Sequence, residues 1–240
     1  MGLNRREIVS QVVRQADLGT CPARVLLFGP PGVGKGTQAR EMERLWGIPH
    51  ISTGDVLLCN VTQGTSLGRA VQEIMKRGDL VPDSLVCEIV ENRLQEPDAS
   101  GGFILDGFPR TLSQAIWLDN RLAELGFGNT VIAVSIRMGH ERLLQRIAGR
   151  WNCPFCQGVY NIYFNPPKRA GLCDLDGTAL IQRADDVEAV FEERLRTYDA
   201  MTAPVVEHYR SLGRFVVANG DGSIQDIAAQ IAGAVDQLRT

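Results

Sequence analysis

The densest chemistry in the chain lies in the stretch Gly29-Pro-Pro-Gly-Val-Gly-Lys-Gly-Thr37. Glycines let backbone N–H groups turn inward and approach a phosphate closely. A helix starting just behind them adds the positive end of its dipole. Lys35 can reach terminal phosphates and offset charge on a transferred group. Gly32, Val33, Gly34, Lys35, Gly36 and Thr37 are therefore candidate phosphate-binding residues. Gly36 follows the lysine, so the hydroxyl comes one residue later than in the commonest pattern, at Thr37. The bland alternative is a Gly-rich turn between strand and helix, which explains neither Lys35 nor Thr37.

A second constellation lies downstream. Cys153-Pro-Phe-Cys156 and Cys173-Asp-Leu-Asp176 are separated by 16 residues. Two such ligand pairs on two turns can surround one tetrahedral ion. Three thiolates and one carboxylate close the coordination sphere, which makes the site structural rather than catalytic. The alternative is a coincidence of cysteines in a turn-rich segment. No secretory signal accompanies the six cysteines, which argues against a disulfide framework. Cys21, Cys59 and Cys87 read as ordinary thiols.

These groups need a scaffold. With 240 residues and 44% hydrophobic content, the chain can build one sizeable α/β core with small inserts. Its net charge of −3 gives no global field for nucleic acid. No apolar run approaches the roughly 20 residues that span a bilayer. The first 22 residues lack the apolar run of a signal peptide; Ile8, Val9, Val12 and Val13 suggest a weakly amphipathic helix.

Apolar periodicity predicts strands at 24–29, 102–106, 129–136 and 214–218. It predicts helices after Lys35 and at 84–94, 113–125, 141–150 and 224–238, with helical spacing from 187 to 209. Residues 52–81 read as a helical insert in which Leu67, Val71, Ile74 and Met75 share a face and Gly78 stops the run. Residues 151–180 are rich in turns, Cys and aromatics. Strands alternating with helices predict a parallel sheet covered on both faces.

The motifs in order, Gly29 to Thr37 with Gln38-Ala39, Ile51-Ser-Thr-Gly-Asp55, Asp106-Gly-Phe-Pro-Arg110, Asn165-Pro-Pro-Lys168 and Gln182-Arg-Ala-Asp-Asp186, closely resemble adenylate kinases. The likeness covers residues 24–238. Tyr160-Asn-Ile-Tyr-Phe-Asn resembles the long-lid members, some of which prefer GTP as donor.

The resemblance implies an α/β P-loop nucleoside monophosphate kinase, with a parallel sheet flanked by helices. Its core would comprise 23–51, 82–149 and 187–240, its monophosphate-binding insert 52–81 and its lid 150–186, with 1–22 as an extension. It implies reversible transfer from Mg-ATP to AMP, giving two ADP. Zinc-bearing lids of the family carry Cys-Cys-Cys and Cys or Asp at the positions of Cys153, Cys156, Cys173 and Asp176, which implies structural Zn²⁺. A monomer is expected, in the cytoplasm or alternatively in mitochondria.

Roles follow by matching position. Lys35, Arg110, Arg150, Arg183 and Arg194 would be the catalytic set, with Arg150, Arg183 and Arg194 clamping the transferring phosphoryl group. Arg146 and Phe164 would sandwich the donor base, Val159 and Tyr160 would support it, and the Ile224 carbonyl would meet it. Thr53, Leu58, Asp79, Leu80, Val81, Gly107, Phe108, Pro109, Arg110, Gln114, Arg183 and Arg194 would line the acceptor site. Gln114 would read the acceptor base and Arg110 would hold its phosphate. Asp106 would hold Mg²⁺ through water. Asp185 and Asp186 either orient the lid arginines or cap the following helix.

One position departs from the family. An arginine normally follows Asp55-Val-Leu at position 58, where this chain has Leu58. Loss of a charge-assisted bond weakens acceptor binding by about tenfold to a hundredfold. Arg69 and Arg77 are the candidates to compensate. Three readings follow: an adenylate kinase with an altered acceptor site, a GTP-preferring or other nucleoside monophosphate kinase, and a nucleotide-binding regulatory module with little turnover.

Overall fold

The computed structural model describes residues 24–127, 130–156, 158–183 and 186–238. The amphipathic N-terminal segment, Cys21 and Asp185 lie outside the described residues.

The chain enters through β1 (Arg24–Phe28), turns through the glycine loop, and continues into α1 (Lys35–Trp46). Next come β2 (His50–Ser52), α2 (Thr53–Thr62), α3 (Ser66–Arg77) and α4 (Asp83–Leu94). They are followed by β3 (Phe103–Asp106), α5 (Leu112–Glu124), β4 (Val131–Arg137) and α6 (His140–Ala148). A small hairpin, β5 (Arg150–Asn152) with β6 (Val159–Asn161), starts the lid segment. The chain closes with α7 (Glu188–Thr197), α8 (Ala203–Ser211), β7 (Phe215–Asn219) and α9 (Ile224–Gln237).

The main sheet runs β2-β3-β1-β4-β7, and every pairing is parallel. All of β1 is buried. Successive side chains of a strand point to opposite faces. Leu26 and Phe28 accordingly join Val90, Leu118 and Tyr209 in one core. Val25 and Leu27 join Met42, Leu143, Phe191 and Ile231 in the other. A parallel sheet covered on both faces is the expected home for such continuous apolar runs. Among the described residues, no helix is long and apolar enough to cross a membrane.

The insert folds as the helical pair α2 and α3. Ser52 caps α2 by accepting from the Asp55 N–H at 3.1 Å, and Thr65 caps α3. Gly78 ends α3 at φ 81°, a conformation that suits glycine. A Cβ on Gly68 would come within 2.0 Å of the Asn60 carbonyl, so the two helices touch through backbone there.

Two expected helices end differently. The run expected over 187–209 breaks into α7, a π-helical turn Tyr198–Thr202, and α8. Pro204 lacks the N–H that a continuous ladder needs. The helix expected over 141–150 stops at Ala148. A side chain on Gly149 would strike the Tyr163 ring at 2.6 Å, so the helix yields there to the lid hairpin.

Candidate functional site

The glycine loop wraps the Lys35 ammonium. Its Nζ donates to the Gly29 carbonyl at 2.8 Å and the Pro30 carbonyl at 3.2 Å. Gly32 at φ 82° and Gly34 at φ 100° make that curl possible. Burial, reinforced by the positive charges of Arg110, Arg194 and Arg150, lowers the lysine to about 8, against the opposing pull of Asp106. Three arginines from three distant stretches of sequence thus reach one lysine electrostatically.

Asp106 ends β3 beside the start of α1, and a Cβ on Gly36 would lie 3.4 Å from its Oδ2. Burial pushes this carboxyl up, but the His50 side chain, Lys35 and Arg110 outweigh it and hold the group below the usual carboxylate range. His50 Nε2 is 3.6 Å from Asp106 Oδ2. A buried carboxylate beside a phosphate loop suits a hydrated magnesium ion.

Arg110 donates through Nε to the Gly107 carbonyl at 2.8 Å. Thr53 Oγ1 donates to that same carbonyl at 3.1 Å. Gly107 sits at φ 81°, a conformation that suits glycine, and a Cβ there would come within 2.9 Å of Arg110 Nη2. Gln114 is buried on α5: its Oε1 accepts from the Arg110 N–H at 2.7 Å, and its Nε2 donates to Asp83 Oδ1 at 2.7 Å. Val81 is buried and Leu80 half-buried. Phe108 is wholly buried against Trp117, ring centroids 5.9 Å apart, and Pro109 is buried too. These last two pack the site's floor and do not line its surface.

On the other side, Arg146 donates to the Val33 carbonyl at 2.8 Å, which ties α6 to the phosphate loop. Burial lowers its guanidinium from the ordinary value. The guanidinium lies 5.9 Å from the Phe164 ring centre, and that of Arg142 lies 5.0 Å from it. The Ile224 carbonyl accepts from Gln38 Nε2 at 3.2 Å, so the start of α9 is anchored to α1. Val159 is half-buried on β6.

Arg150 is paired with Asp186, and Arg183 Nη2 lies 3.8 Å from Asp55 Oδ1 on α2. The stem of Arg194 lies against Gly78, where a Cβ would come within 2.8 Å of Arg194 Cγ. Arg183 and Arg194 thus face the insert from the lid segment and from α7.

The cysteine cluster assembles as the spacing implied. The ligand atoms of Cys153, Cys156, Cys173 and Asp176 all lie within 4.8 Å of one another. Cys156 and Cys173 sulfurs are 3.5 Å apart, and Cys153 Sγ is 3.4 Å from Asp176 Oδ2. Zn–S bonds of about 2.3 Å put tetrahedral sulfurs about 3.8 Å apart, so the donor set fits such an ion closely. The Tyr160 hydroxyl holds Cys173 below its ordinary thiol value. Two hydrogen bonds from Thr178 hold Asp176 well below the usual range.

Some expected residues sit elsewhere. The Tyr160 hydroxyl lies 3.4 Å from Cys173 Sγ and accepts from the Asp174 N–H at 2.7 Å, so this side chain serves the cysteine cluster. Asp79 is exposed and paired with Arg77 at 2.8 Å. Arg69 donates to the Gly64 carbonyl. Both candidates to replace an arginine at position 58 are thus engaged locally. Leu58 is 37% exposed on α2. Sequence reasoning missed His50, Asp83 and Arg142 because their partners are far away in the chain.

A family profile described as adenylate kinase matches residues 27–214. A curated adenylate kinase from Caldicellulosiruptor saccharolyticus is 43% identical over 212 residues, covering 88% of this chain and 98% of its own. One from Methanococcoides burtonii is 43% identical, covering 90% and 99%. One from Trichlorobacter lovleyi is 45% identical, covering 88% and 98%.

Proposed function

The chain belongs to the adenylate kinase family, and on that premise we propose that it moves the terminal phosphoryl group of Mg-ATP reversibly to AMP, giving two ADP. The observation that carries the reading is the glycine loop curled on the Lys35 ammonium, 2.8 Å from the Gly29 carbonyl and 3.2 Å from the Pro30 carbonyl, with the charges of Asp106, Arg110, Arg194 and Arg150 acting on it.

Phosphoryl transfer needs in-line positioning and charge neutralisation more than covalent help. The glycine loop presents N–H donors to the donor phosphates, and Lys35 exchanges its two carbonyl bonds for them. Arg146 and Phe164 hold the donor base. Arg110 holds the acceptor phosphate, and Thr53, Val81, Gly107 and Gln114 hold its nucleoside. Arg150, Arg183 and Arg194 contribute planar forks that fit phosphate oxygens. Magnesium, when bound with the donor, offsets charge on the phosphates, and Asp106 would hold it through water.

The division into core, insert and lid follows from the same reading. The Phe164–Arg146 gap of 5.9 Å supports lid movement, because stacking a base between two planes needs about 7 Å. The lid must therefore part slightly to admit the donor. Among the described residues, its own core is Cys153, Tyr160, Cys173 and Leu180 with Trp151. We assign structural Zn²⁺ to Cys153, Cys156, Cys173 and Asp176, which would supply the cohesion so small a cluster lacks. Three reduced thiolates suit the cytoplasm, while the mitochondrial alternative draws no support from these relatives. We expect a monomer, which sedimentation tests.

The deciding experiment is ADP formation by purified protein with saturating AMP and Mg-ATP, followed by a panel of donors and acceptors. No ADP under those conditions would sink the reading.

A further inference from the structure

The Gln114 amide is read from both ends by groups that cannot change roles. Asp83 Oδ1 accepts from Gln114 Nε2 at 2.7 Å, and an ionised carboxylate only accepts. The Arg110 backbone N–H gives to Oε1 at 2.7 Å, and a backbone N–H only donates. Turning the amide over would set oxygen against carboxylate and N–H against N–H. Asp83 is itself anchored, because Oδ2 accepts from Thr111 Oγ1 at 2.7 Å. Thr111 Oγ1 in turn caps α5 by accepting from the Gln114 N–H at 3.2 Å. The orientation of one side-chain amide, normally ambiguous, is thereby set by a closed ring of hydrogen bonds.

An amide nitrogen has two protons and its oxygen two lone pairs. One of each is used by Asp83 and Arg110, and one of each remains. The remaining pair has a fixed polarity, a donor at the nitrogen end and an acceptor at the oxygen end. Adenine offers the complement, an acceptor at N1 and a donor amino group at C6. A 6-oxopurine offers the opposite order, a donor at N1 and an acceptor at O6.

We propose that Asp83 is a positioning residue that determines acceptor specificity, by locking the Gln114 amide in the orientation that accepts 6-aminopurine monophosphates and rejects 6-oxopurine ones. The inference rests on the reading that Gln114 meets the acceptor base. Asp83→Asn is the direct probe. It preserves size, and its amide can serve as donor or acceptor toward Gln114, so one of the two locks is released.

The test compares kcat/KM for AMP and inosine monophosphate, and equilibrium binding of each, in the native protein, Asp83→Asn, Asp83→Glu and Gln114→Leu. The AMP-to-inosine monophosphate ratio is expected to fall about tenfold in Asp83→Asn, as for one hydrogen bond of wrong polarity. It is expected to be kept in Asp83→Glu, which still only accepts. A merely structural Asp83 would weaken both acceptors alike and leave the ratio unmoved. If Gln114→Leu lowers the ratio and Asp83→Asn does not, the orienting role is overturned while the acceptor reading of Gln114 stands. If Gln114→Leu leaves the ratio unchanged, that acceptor reading fails and takes this inference with it. Melting temperatures of the variants separate either result from misfolding.

Discussion

Arg150 closes on Asp186 through two hydrogen bonds, Nε to Oδ2 at 2.7 Å and Nη2 to Oδ1. The Asp186 side chain is 1% exposed, so the carboxylate is committed to this arginine. The bidentate contact sets the guanidinium plane before any phosphate arrives. Asp186→Asn keeps the shape and removes the charge. It is expected to lower kcat about tenfold, the worth of one charge-assisted bond, with little effect on the KM of AMP. Steady-state kinetics checks this; an unchanged kcat would mean Arg150 needs no such support.

Leu58 offers a gain-of-function test. Its helix, α2, opens at Thr53, whose hydroxyl meets the carbonyl that also binds Arg110. Leu58→Arg adds a cation on that helix. The KM for AMP is expected to drop by about tenfold or more, with kcat nearly constant. An unmoved KM would show that acceptor phosphate is held fully by other groups.

Removing metal should loosen the lid selectively. One zinc per chain is expected by metal analysis of purified protein. A chelator, or Cys153→Ala, should lower the melting temperature and raise the KM for ATP more than for AMP. Metal-free protein that melts unchanged would refute the zinc assignment.

Lys35 makes the ligand-free protein sensitive to alkaline pH. Its ordinary value is 10.5, and burial lowers it to about 8 in the folded chain. Below about 8 both folded and unfolded chains hold the proton, and the cost of burying the charge is fully present. Between about 8 and 10.5 the unfolded chain binds more protons, so stability from this group rises with pH across that window. Activity should move the other way: kcat/KM for ATP should fall above about pH 8 as free enzyme loses the charge, while kcat falls later because bound phosphates retain the proton. Melting curves and pH–rate profiles test the two halves separately.

Phe164 tests the donor side. Phe164→Ala should raise the KM for ATP about tenfold, the effect expected for loss of one aromatic stacking partner, and leave AMP largely unaffected. Equal changes for both nucleotides would place Phe164 outside the donor pocket.

Much of this was legible in the chain because it is local. A glycine loop between strand and helix needs its φ angles and its lysine within nine residues, and Gly29 to Thr37 states both. The ligand pairs of the lid are legible for the same reason, since a turn of four residues brings two donors together. Ser52, Thr65 and Gly78 likewise mark helix ends by the hydrogen bonds they make at short range.

What the tertiary structure decided is which distant groups meet, and with which polarity. Nothing in the spacing of Asp83 and Gln114, 31 positions apart, announces that a carboxylate orients that amide. Nor does it show that the hydroxyl of Tyr160 meets the sulfur of Cys173. The shift of Lys35 is collective, arising from burial and from arginines on the loop before α5, on β5 and on α7, and it exists only once the parallel sheet has gathered them. The sequence alone determined the local backbone geometry and the chemical types available. Long-range packing determined the pairings, because burial makes each hydrogen bond and charge depend on whatever the fold sets beside it.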